Sequence, residues 1–176
     1  MAPDLEPGDG EFFDQGLYDQ YCYACGRLNP HGLQLRFRRD GALGVVTSYR
    51  PKPEDQGFPG VFHGGVLAAL MDEAMAWSMY AAERVMGVTA KMEMKYRRQV
   101  PLDSELTVRG RITRIRGRRI EVEATIFDAE EQRLVESNAL FLRLPRQEEA
   151  AVFEQMGWPA VGAHTSDSSE AEGDGD

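Results

Sequence analysis

One carboxylate stands inside the most apolar stretch of the sequence. Asp72 follows Leu70 and Met71 and precedes a run rich in Ala and Met, residues that favour helix. A charged side chain in such surroundings is costly to bury unless it is paired or functional. Glu73 is the neighbouring acid, but it points about 100° away around a helix, so both acids cannot face one cleft equally well. Asp72 is therefore the first candidate for chemistry, with an ordinary helix-surface acid as the alternative.

The tripeptide His63-Gly64-Gly65 precedes this apolar stretch. The start of a helix leaves backbone N–H groups unpaired and carries a partial positive charge, and glycine lets a substrate approach that backbone closely. The Gly64 N–H is thus suited to an oxyanion that develops on a carbonyl, while Asp72 could activate water or attack directly. The combination predicts acyl transfer to water. The alternative is a simple turn before the helix, with His63 as a cap or loop contact.

The sequence holds none of the motifs typical of other chemistries. It contains no G-x-S-x-G elbow, P-loop or dinucleotide fingerprint. Cys22 and Cys25 form a C-x-x-C pair that could be half of a zinc site, with His31 and His63 as the nearby candidates to complete it. Tetrahedral zinc takes four ligands, and this spacing matches no common zinc finger. We expect two small, half-buried thiols in a turn, no metal and no cofactor.

Charge is distributed unevenly along this acidic chain, whose formal net charge is −9. Residues 1–20 carry six acids and no Lys or Arg, and residues 146–176 carry eight acids and one Arg. Between them, residues 91–119 hold ten basic residues against three acids. One concentrated basic segment in an acidic protein indicates a local polyanion site and argues against a general nucleic-acid surface. The alternative is a solvated strand face that exposes Arg.

A change of hydrophobic period divides the chain into one long helix and several strands. The helix is expected from His63 to Glu83, apolar nearly all round, with Gly87 as its stop. Alternation of apolar and polar residues then predicts strands, and Asp40-Gly41 predicts a hairpin before the helix. The expected strands are 33–38, 44–50, 90–97, 105–112, 120–126 and 139–144.

The predicted fold class is α+β: an antiparallel sheet with one face covered by a single helix. One helix covers only part of a sheet of five or six long strands, so a partner molecule is expected. We predict a flexible N-terminal tail at 1–11, a folded domain at 12–158 and a disordered acidic tail at 159–176. The acidic start fits neither a secretory signal nor a transit peptide, and no apolar run is long enough for a bilayer, so the expected location is the cytoplasm, without membrane partners.

These motifs together resemble the PaaI/THEM4 group of hotdog thioesterases over about residues 22–144. The resemblance rests on His63-Gly64-Gly65, the acid nine residues after His63, the Thr-led strand 89–98 and the following Pro101. The N-terminal segment 22–33, with the pattern C-x-x-C-G-x-x-N-P-x-G-L, is also similar to a motif of bacterial members. The resemblance implies a curved antiparallel sheet around one long helix, self-association into dimers or tetramers, and active sites at the dimer interface.

The resemblance also assigns roles to individual residues. It implies Asp72 as base or nucleophile, Gly64 as oxyanion-hole donor, and Thr89 as the residue that orients the water or carboxylate. It implies acyl-CoA as substrate, bound near His63 and Gly65 and contacted at its coenzyme A part by four basic residues: Lys95, Arg97, Arg118 and Arg119. This agrees with the basic segment, because CoA carries phosphates that basic side chains bind well.

One position departs from the resemblance, and some functional alternatives stay open. Some relatives have Asn six residues before the His, where this chain has Gly57; Gln56 is the nearest polar substitute. A non-catalytic acyl-CoA or fatty-acyl binding protein is the main alternative function, although a binder has little use for Asp72. A hotdog dehydratase ranks last, because it needs an Asp/His pair and none of His31, His63 and His164 is suitably placed. A transcriptional regulator needs a DNA-binding appendage, and neither tail resembles one. The acyl pocket is expected from apolar residues near the helix: Phe62, Met71, Met75 and Trp77.

Overall fold

A computed structural model describes residues 8–158 of the chain. The predicted disordered tail at 159–176 and the first seven residues of the predicted N-terminal tail lie outside the described residues. Residues 8–11 are described, and two backbone hydrogen bonds join this segment to Arg39: the Gly10 N–H donates to the Arg39 carbonyl, and the Arg39 N–H donates to the Glu11 carbonyl.

The long helix, α1, runs from Gly64 to Glu83. His63 caps its start, because its side chain accepts a hydrogen bond from the Gly65 N–H. The helix ends at Arg84, which adopts the left-handed conformation with φ 52°. The expected stop at Gly87 is therefore wrong: Gly87 is the first residue of the next strand. An arginine takes the position for which glycine is preferred, so the sequence carried no signal for this end.

Within the described residues, six strands form one antiparallel sheet: β1 (Arg38–Arg39), β2 (Gly44–Tyr49), β3 (Gly87–Tyr96), β4 (Leu106–Arg116), β5 (Arg119–Phe127) and β6 (Arg133–Arg143). Their order across the sheet is β1-β2-β4-β5-β6-β3, so that β3 lies at one edge, next to β6. The predicted hairpin at Asp40-Gly41 is confirmed by the pairing of β1 with β2. Two further hairpins join β4 to β5 and β5 to β6.

The expected strand at 33–38 is wrong for most of its length, since only Arg38 is paired in β1. Leu33, Leu35 and Phe37 are buried at alternate positions, which is the pattern of a strand, but Gln34 between them has φ 54°. That positive φ is incompatible with extended structure. The segment is an irregular layer whose alternate side chains enter the core.

Helix α1 packs across β2, β4 and β5, and Gly110 of β4 lets it approach closely. A Cβ at Gly110 would lie 2.6 Å from the Ala74 carbonyl oxygen and 2.8 Å from Ser78 Oγ, so a larger residue would push the helix away. The helix in turn fills the core with its buried side chains, among them Leu70, Met71, Met75 and Trp77. The sequence-predicted arrangement of a curved antiparallel sheet around one helix is confirmed.

A second helix, α2 (Arg146–Met156), was not predicted. Its sequence is mostly polar, and only Glu149 and Phe153 are buried. Phe153 and Trp158 join an aromatic cluster centred on Trp77 that also includes Phe13, Tyr18, Phe37 and Tyr80. Both ends of the described chain therefore cover the same stretch of α1. Neither described helix has the length and hydropathy of a membrane span.

Candidate active site along the long helix

The start of α1 presents its first N–H groups beside a cavity. His63 Nδ1 accepts the Gly65 N–H at 2.9 Å, while the Gly64 N–H belongs to the first turn, where a helix has no internal acceptor. Gly64 lines a cavity of about 360 Å³ together with Gly57, Phe58, Phe62 and His63. The geometry fits a hydrogen-bond donor for a carbonyl oxygen entering this cavity.

Asp72 lies in the middle of α1, partly exposed, and contacts β3. Its Oδ1 accepts a hydrogen bond of 2.7 Å from the Thr89 hydroxyl. Thr89 itself is exposed at the sheet edge. The pair Asp72–Thr89 expected from the sequence is thus in direct contact, and the hydroxyl fixes one carboxylate oxygen while the other remains for a reacting group.

A β-bulge in β3 directs Thr89 towards the helix. The pairing with β6 shifts between Thr89, which is opposite Phe141, and Lys91, which is opposite Leu140. Without the extra residue Ala90, Thr89 and Lys91 would project from the same face of the strand. The bulge separates them, so that Thr89 meets Asp72 while Lys91 faces outwards. Bulges commonly re-aim a side chain in this way.

Two further residues position the helix start, and sequence reasoning did not single them out. The Tyr96 hydroxyl donates to the Gly64 carbonyl at 2.9 Å, which ties the last residue of β3 to the glycine turn. Asp55 is 5% exposed; it accepts from the Tyr49 hydroxyl at 2.6 Å, and its carbonyl accepts the His63 N–H at 2.8 Å. Burial raises the pKa of Tyr49, which keeps this hydroxyl a donor.

Asp72 and Gly64 lie far apart within one chain. Eight residues separate them along α1, and at 1.5 Å per residue this places them about 12 Å apart along the helix axis. In thioester hydrolysis, the base must hydrogen-bond the water that attacks the carbonyl carbon, and the oxyanion donor must lie about 3 Å from the carbonyl oxygen. Both groups must therefore reach the same carbonyl. A single chain therefore does not bring these two groups to one carbonyl.

The four predicted CoA-contacting residues lie in two separate groups, all exposed. Lys95 and Arg97 lie at the Tyr96 end of β3, near Gly64. Arg118 and Arg119 lie at the turn into β5, where Arg119 pairs with Leu142 opposite the Gly87 end of β3. The length of β3 separates the groups by about 25–30 Å.

Two of these arginines already have partners. Arg97 forms an ion pair with Glu136, with contacts of 2.6 and 2.8 Å to one carboxylate oxygen, and holds the pKa of that carboxyl below its ordinary value. The Arg118 Nε donates to the Arg143 carbonyl at 2.9 Å. Their remaining N–H groups are available to a phosphate.

The other expected binding residues fall into different places. Gln56 is exposed, and its side-chain oxygen accepts the Gly60 N–H at 3.0 Å, so it holds the loop before the helix. Phe62 lines the cavity at Gly64, whereas Trp77 lines a second cavity at the other end of α1. Met71 and Met75 are fully buried in the core. The structure therefore does not bring the four predicted acyl-pocket residues to one cavity.

A second polar cluster lies around Glu73, away from Asp72. Glu73 accepts from Trp77 Nε1 at 3.1 Å and lies beside Cys22 and Cys25. Burial and the nearby Cys22 raise the pKa of Glu73 to about 7. A hydrogen bond from Cys25 and the backbone N–H groups of the turn lower the pKa of Cys22 to about 5, and the same thiol pairing together with burial raises the pKa of Cys25. The expected turn with two thiols is present, but only Cys22 is half-buried; Cys25 is fully buried.

Comparison with known proteins matches this architecture to one family. Residues 59–135, which include the helix start, Asp72 and Thr89, match the family model described as Thioesterase superfamily. The acyl-coenzyme A thioesterase THEM4 of Rattus norvegicus is 33% identical over 90 residues, which are 51% of this chain and 38% of that protein. The chain thus spans well under two thirds of this relative's length. The sequence-based resemblance is confirmed.

Solved structures of similar fold include a thioesterase superfamily protein and the proteins smu.793 and PaaI. The thioesterase superfamily protein RHA08564 superposes with a TM-score of 0.65 at 23% identity, covering 79% of this chain and 70% of that one. The protein smu.793 of Streptococcus mutans, bound to acetyl-CoA, gives 0.59 at 15% identity, covering 62% and 88%. The PaaI protein of E. coli gives 0.59 at 15% identity, covering 64% and 81%. At these identities the likeness establishes the fold alone.

Proposed function

We propose that this chain, which has the hotdog fold of the thioesterase superfamily, hydrolyses acyl-coenzyme A thioesters at a site shared by two copies. The observation that carries the proposal is the Asp72 carboxylate on α1, bound by Thr89 at the sheet edge. The matched relatives include acyl-CoA thioesterases, and a neighbour of similar fold binds acetyl-CoA. Both support a thioester of CoA as the substrate.

A second copy supplies the oxyanion donor that Asp72 lacks within its own chain. The separation of about 12 Å along α1 prevents Asp72 and Gly64 of one copy from acting on the same carbonyl. Each site therefore combines Asp72 and Thr89 of one copy with the Gly64 N–H of the other. Two equivalent sites result from a twofold axis.

Strand β3 is the surface on which we expect the two copies to meet. It is ten residues long, lies at the sheet edge, and is paired on one side only among the described residues. Such an edge is a template for pairing with another strand. In an antiparallel pair of two β3 strands, the Gly87 end of one copy lies beside the Tyr96 end of the other. A larger assembly, such as a tetramer, stays a prediction.

This pairing also unites the two basic groups. Lys95 and Arg97 of one copy come near Arg118 and Arg119 of the other, because the two groups lie at opposite ends of β3. Four basic side chains around one cleft suit the phosphates of CoA. The same pairing places Phe58 and Phe62, which line the cavity at Gly64 of one copy, next to Asp72 of the other copy. There they can contact the acyl group.

The chemistry follows from a carboxylate and an N–H on opposite sides of a thioester carbonyl. As a general base, Asp72 takes a proton from water while the oxygen of that water bonds to the carbonyl carbon. The Gly64 N–H stabilises the resulting oxyanion. The carbon–sulfur bond then breaks, CoA leaves as a thiolate and takes up the proton, and the carboxylic acid is released. As a nucleophile, Asp72 would instead form an anhydride that water opens.

Release of free CoA from a panel of acyl-CoA and aryl-CoA esters tests the proposal. Asp72→Asn keeps the shape of the side chain but removes the base, so kcat/KM should fall at least about 100-fold while acyl-CoA binding persists. Glu83→Gln, an exposed acid at the end of the same helix, is the matched control and should leave kcat/KM unchanged. Binding without hydrolysis by the unaltered chain would favour the acyl-CoA-binding alternative, and undiminished hydrolysis by Asp72→Asn would refute the role of Asp72.

A further inference from the structure

Three side chains with metal-binding atoms meet at a place that the proposed hydrolysis does not use. Cys22, Cys25 and Glu73 each direct one ligand atom into a group whose members all lie within 4.8 Å of one another. The Cys22 sulfur lies 3.8 Å from both carboxylate oxygens of Glu73. Cys25 is buried, while Cys22 and Glu73 are partly buried. The chain thus brings together residues that are 51 positions apart in sequence.

The turn that carries the two cysteines brings their sulfur atoms within 4.8 Å of each other. The Gly26 N–H donates to the Cys22 carbonyl at 3.0 Å. A Cβ on Gly26 would lie 2.5 Å from the Cys22 nitrogen and 2.6 Å from its carbonyl oxygen, so only glycine permits this tight turn. Thiolate is the form of cysteine that binds metals.

We infer that Cys22, Cys25 and Glu73 bind one zinc ion. Two thiolates and a carboxylate are ligands that zinc takes in proteins, at about 2.3 Å for sulfur and about 2.0–2.2 Å for oxygen. Tetrahedral geometry then places the two sulfurs roughly 3.8 Å apart, which is compatible with ligand atoms that all lie within 4.8 Å of one another.

A cavity provides the fourth position of the zinc ion. It has a volume of about 160 Å³ and is lined by the three ligands and by apolar side chains that include Trp77, Met156 and Trp158. This volume accommodates a water molecule as the fourth ligand. Gln20, which also lines the cavity, lies with its Nε2 3.6 Å from the Cys25 sulfur and can hydrogen-bond the site from outside. A bound zinc ion would fasten the segment at 20–26 to α1 one residue from Asp72.

The ligand set differs from the zinc half-site considered from the sequence. His63 uses its Nδ1 to cap α1, and His31 is exposed. Glu73 takes the third position instead, because the N-terminal segment crosses the side of α1 that carries Glu73, about 100° around the helix from Asp72. The sequence spacing could not reveal this contact.

The experiment measures zinc uptake by the full chain without an affinity tag. Reduced, chelator-treated protein is titrated with zinc chloride and then, separately, with cobalt(II), whose absorption reports thiolate ligands. We expect one zinc per chain, a raised melting temperature, and a cobalt–thiolate band. Cys22→Ser, Cys25→Ser and Glu73→Gln should each lose stoichiometric uptake, or shift the cobalt spectrum if partial binding persists.

Asp72→Asn is the matched control, because it alters the neighbouring acid without removing a ligand. It should bind zinc and cobalt as the unaltered chain does while losing hydrolysis, so the two proposals can fail separately. Uptake well below one zinc per chain would overturn the inference. So would Cys22 and Cys25 thiols that react with a thiol reagent equally fast in the presence and in the absence of zinc. An unchanged cobalt spectrum in Glu73→Gln would also overturn it, as would a Cys22–Cys25 disulfide that forms instead of a zinc site.

Discussion

Two adjacent acids on α1 have different surroundings at the scale of single residues. Asp72 meets a hydroxyl at the open sheet edge, and Glu73 meets an indole N–H and two thiols under the N-terminal segment. The helical turn of about 100° between neighbours predicted that they would face different places. That angle separated the two acids, and the family resemblance, with its acid nine residues after His63, selected Asp72 as the candidate.

Gly64 is proposed to act through its backbone N–H, and one substitution removes that group alone. Proline is favoured at the first position of a helix, and His63 before it is already extended, with φ −68° and ψ 129°. Gly64→Pro should therefore fold and lose about 100- to 1,000-fold in kcat. Gly64→Ala keeps the N–H, and its Cβ would lie at an ordinary 3.5 Å from the Tyr96 ring. Gly64→Ala should therefore retain most of the activity. Equal losses of activity in Gly64→Ala and Gly64→Pro would mean that the space beside Gly64 matters and its N–H does not.

Sequence reasoning proposed the reacting groups but missed residues that position them. Tyr96 and Asp55 bind the helix start through contacts from other elements. Glu73 faces a segment 51 residues earlier in the chain. No local pattern encodes contacts at such sequence separation, so these residues could be identified only from the fold.

At the scale of secondary-structure elements, the bulge in β3 determines the contact between this strand and α1. It lets the exposed edge strand direct one hydroxyl inwards to Asp72 without disturbing the outward Lys91. Alternation alone predicted a strand at 90–97, and it carried no signal for the register shift at Ala90.

Thr89→Val tests whether the hydrogen bond from Thr89 to Asp72 serves catalysis. Valine has the same shape but donates no hydrogen bond, and a bond to a charged group contributes about 1.5–3 kcal/mol. We expect kcat to fall about 10-fold or more, with the melting temperature nearly unchanged because Thr89 is exposed. Thr89→Ser, which keeps the hydroxyl, should restore most of the rate. Full activity of Thr89→Val would show that the carboxylate needs no orienting partner.

The β4–β5 turn carries the second test at this scale. Replacing Arg118 and Arg119 together with Ala should raise KM about 10-fold for CoA esters, because contacts to phosphate are lost. Short thioesters without the nucleotide should be much less affected. Arg50→Ala, an exposed arginine paired with Glu105 at the far end of β4, should change neither KM. Equal increases for both substrate classes would identify these arginines as ordinary surface charge.

The helix and the long strands were predictable because their periods are strong over many residues. The exceptions have local causes. Residues 33–37 alternate like a strand but are broken by Gln34, and α1 ends at Arg84 in a conformation that usually signals glycine. Helix α2 is polar on most of its surface, and Phe153 is its one buried apolar residue. Its apolar stripe is therefore too narrow to be detected in the sequence.

At the scale of the whole molecule, other segments of the same chain cover part of α1. The sequence argument expected a partner because one helix and one sheet leave apolar surface open; the N-terminal segment and α2 cover much of it around Trp77. The remaining argument for a second copy is specific to the site: the edge strand β3 and the separation of Asp72 from Gly64. The predicted cytoplasmic location stays a prediction.

Complementation between two inactive variants tests the shared site most directly. Asp72→Asn and Gly64→Pro chains are denatured together in equal amounts, refolded and assayed. In a mixed dimer, one site combines the intact Asp72 of one chain with the intact Gly64 of the other, and the second site has neither. Random pairing makes half of the dimers mixed, so activity should return to about a quarter of that of the unaltered protein.

Each variant refolded alone serves as the control and should stay inactive. A mixture that recovers about a quarter of the activity supports a carboxylate and an oxyanion donor from different copies. A refolded mixture that forms mixed dimers but shows only the sum of the two residual activities would contradict the shared site.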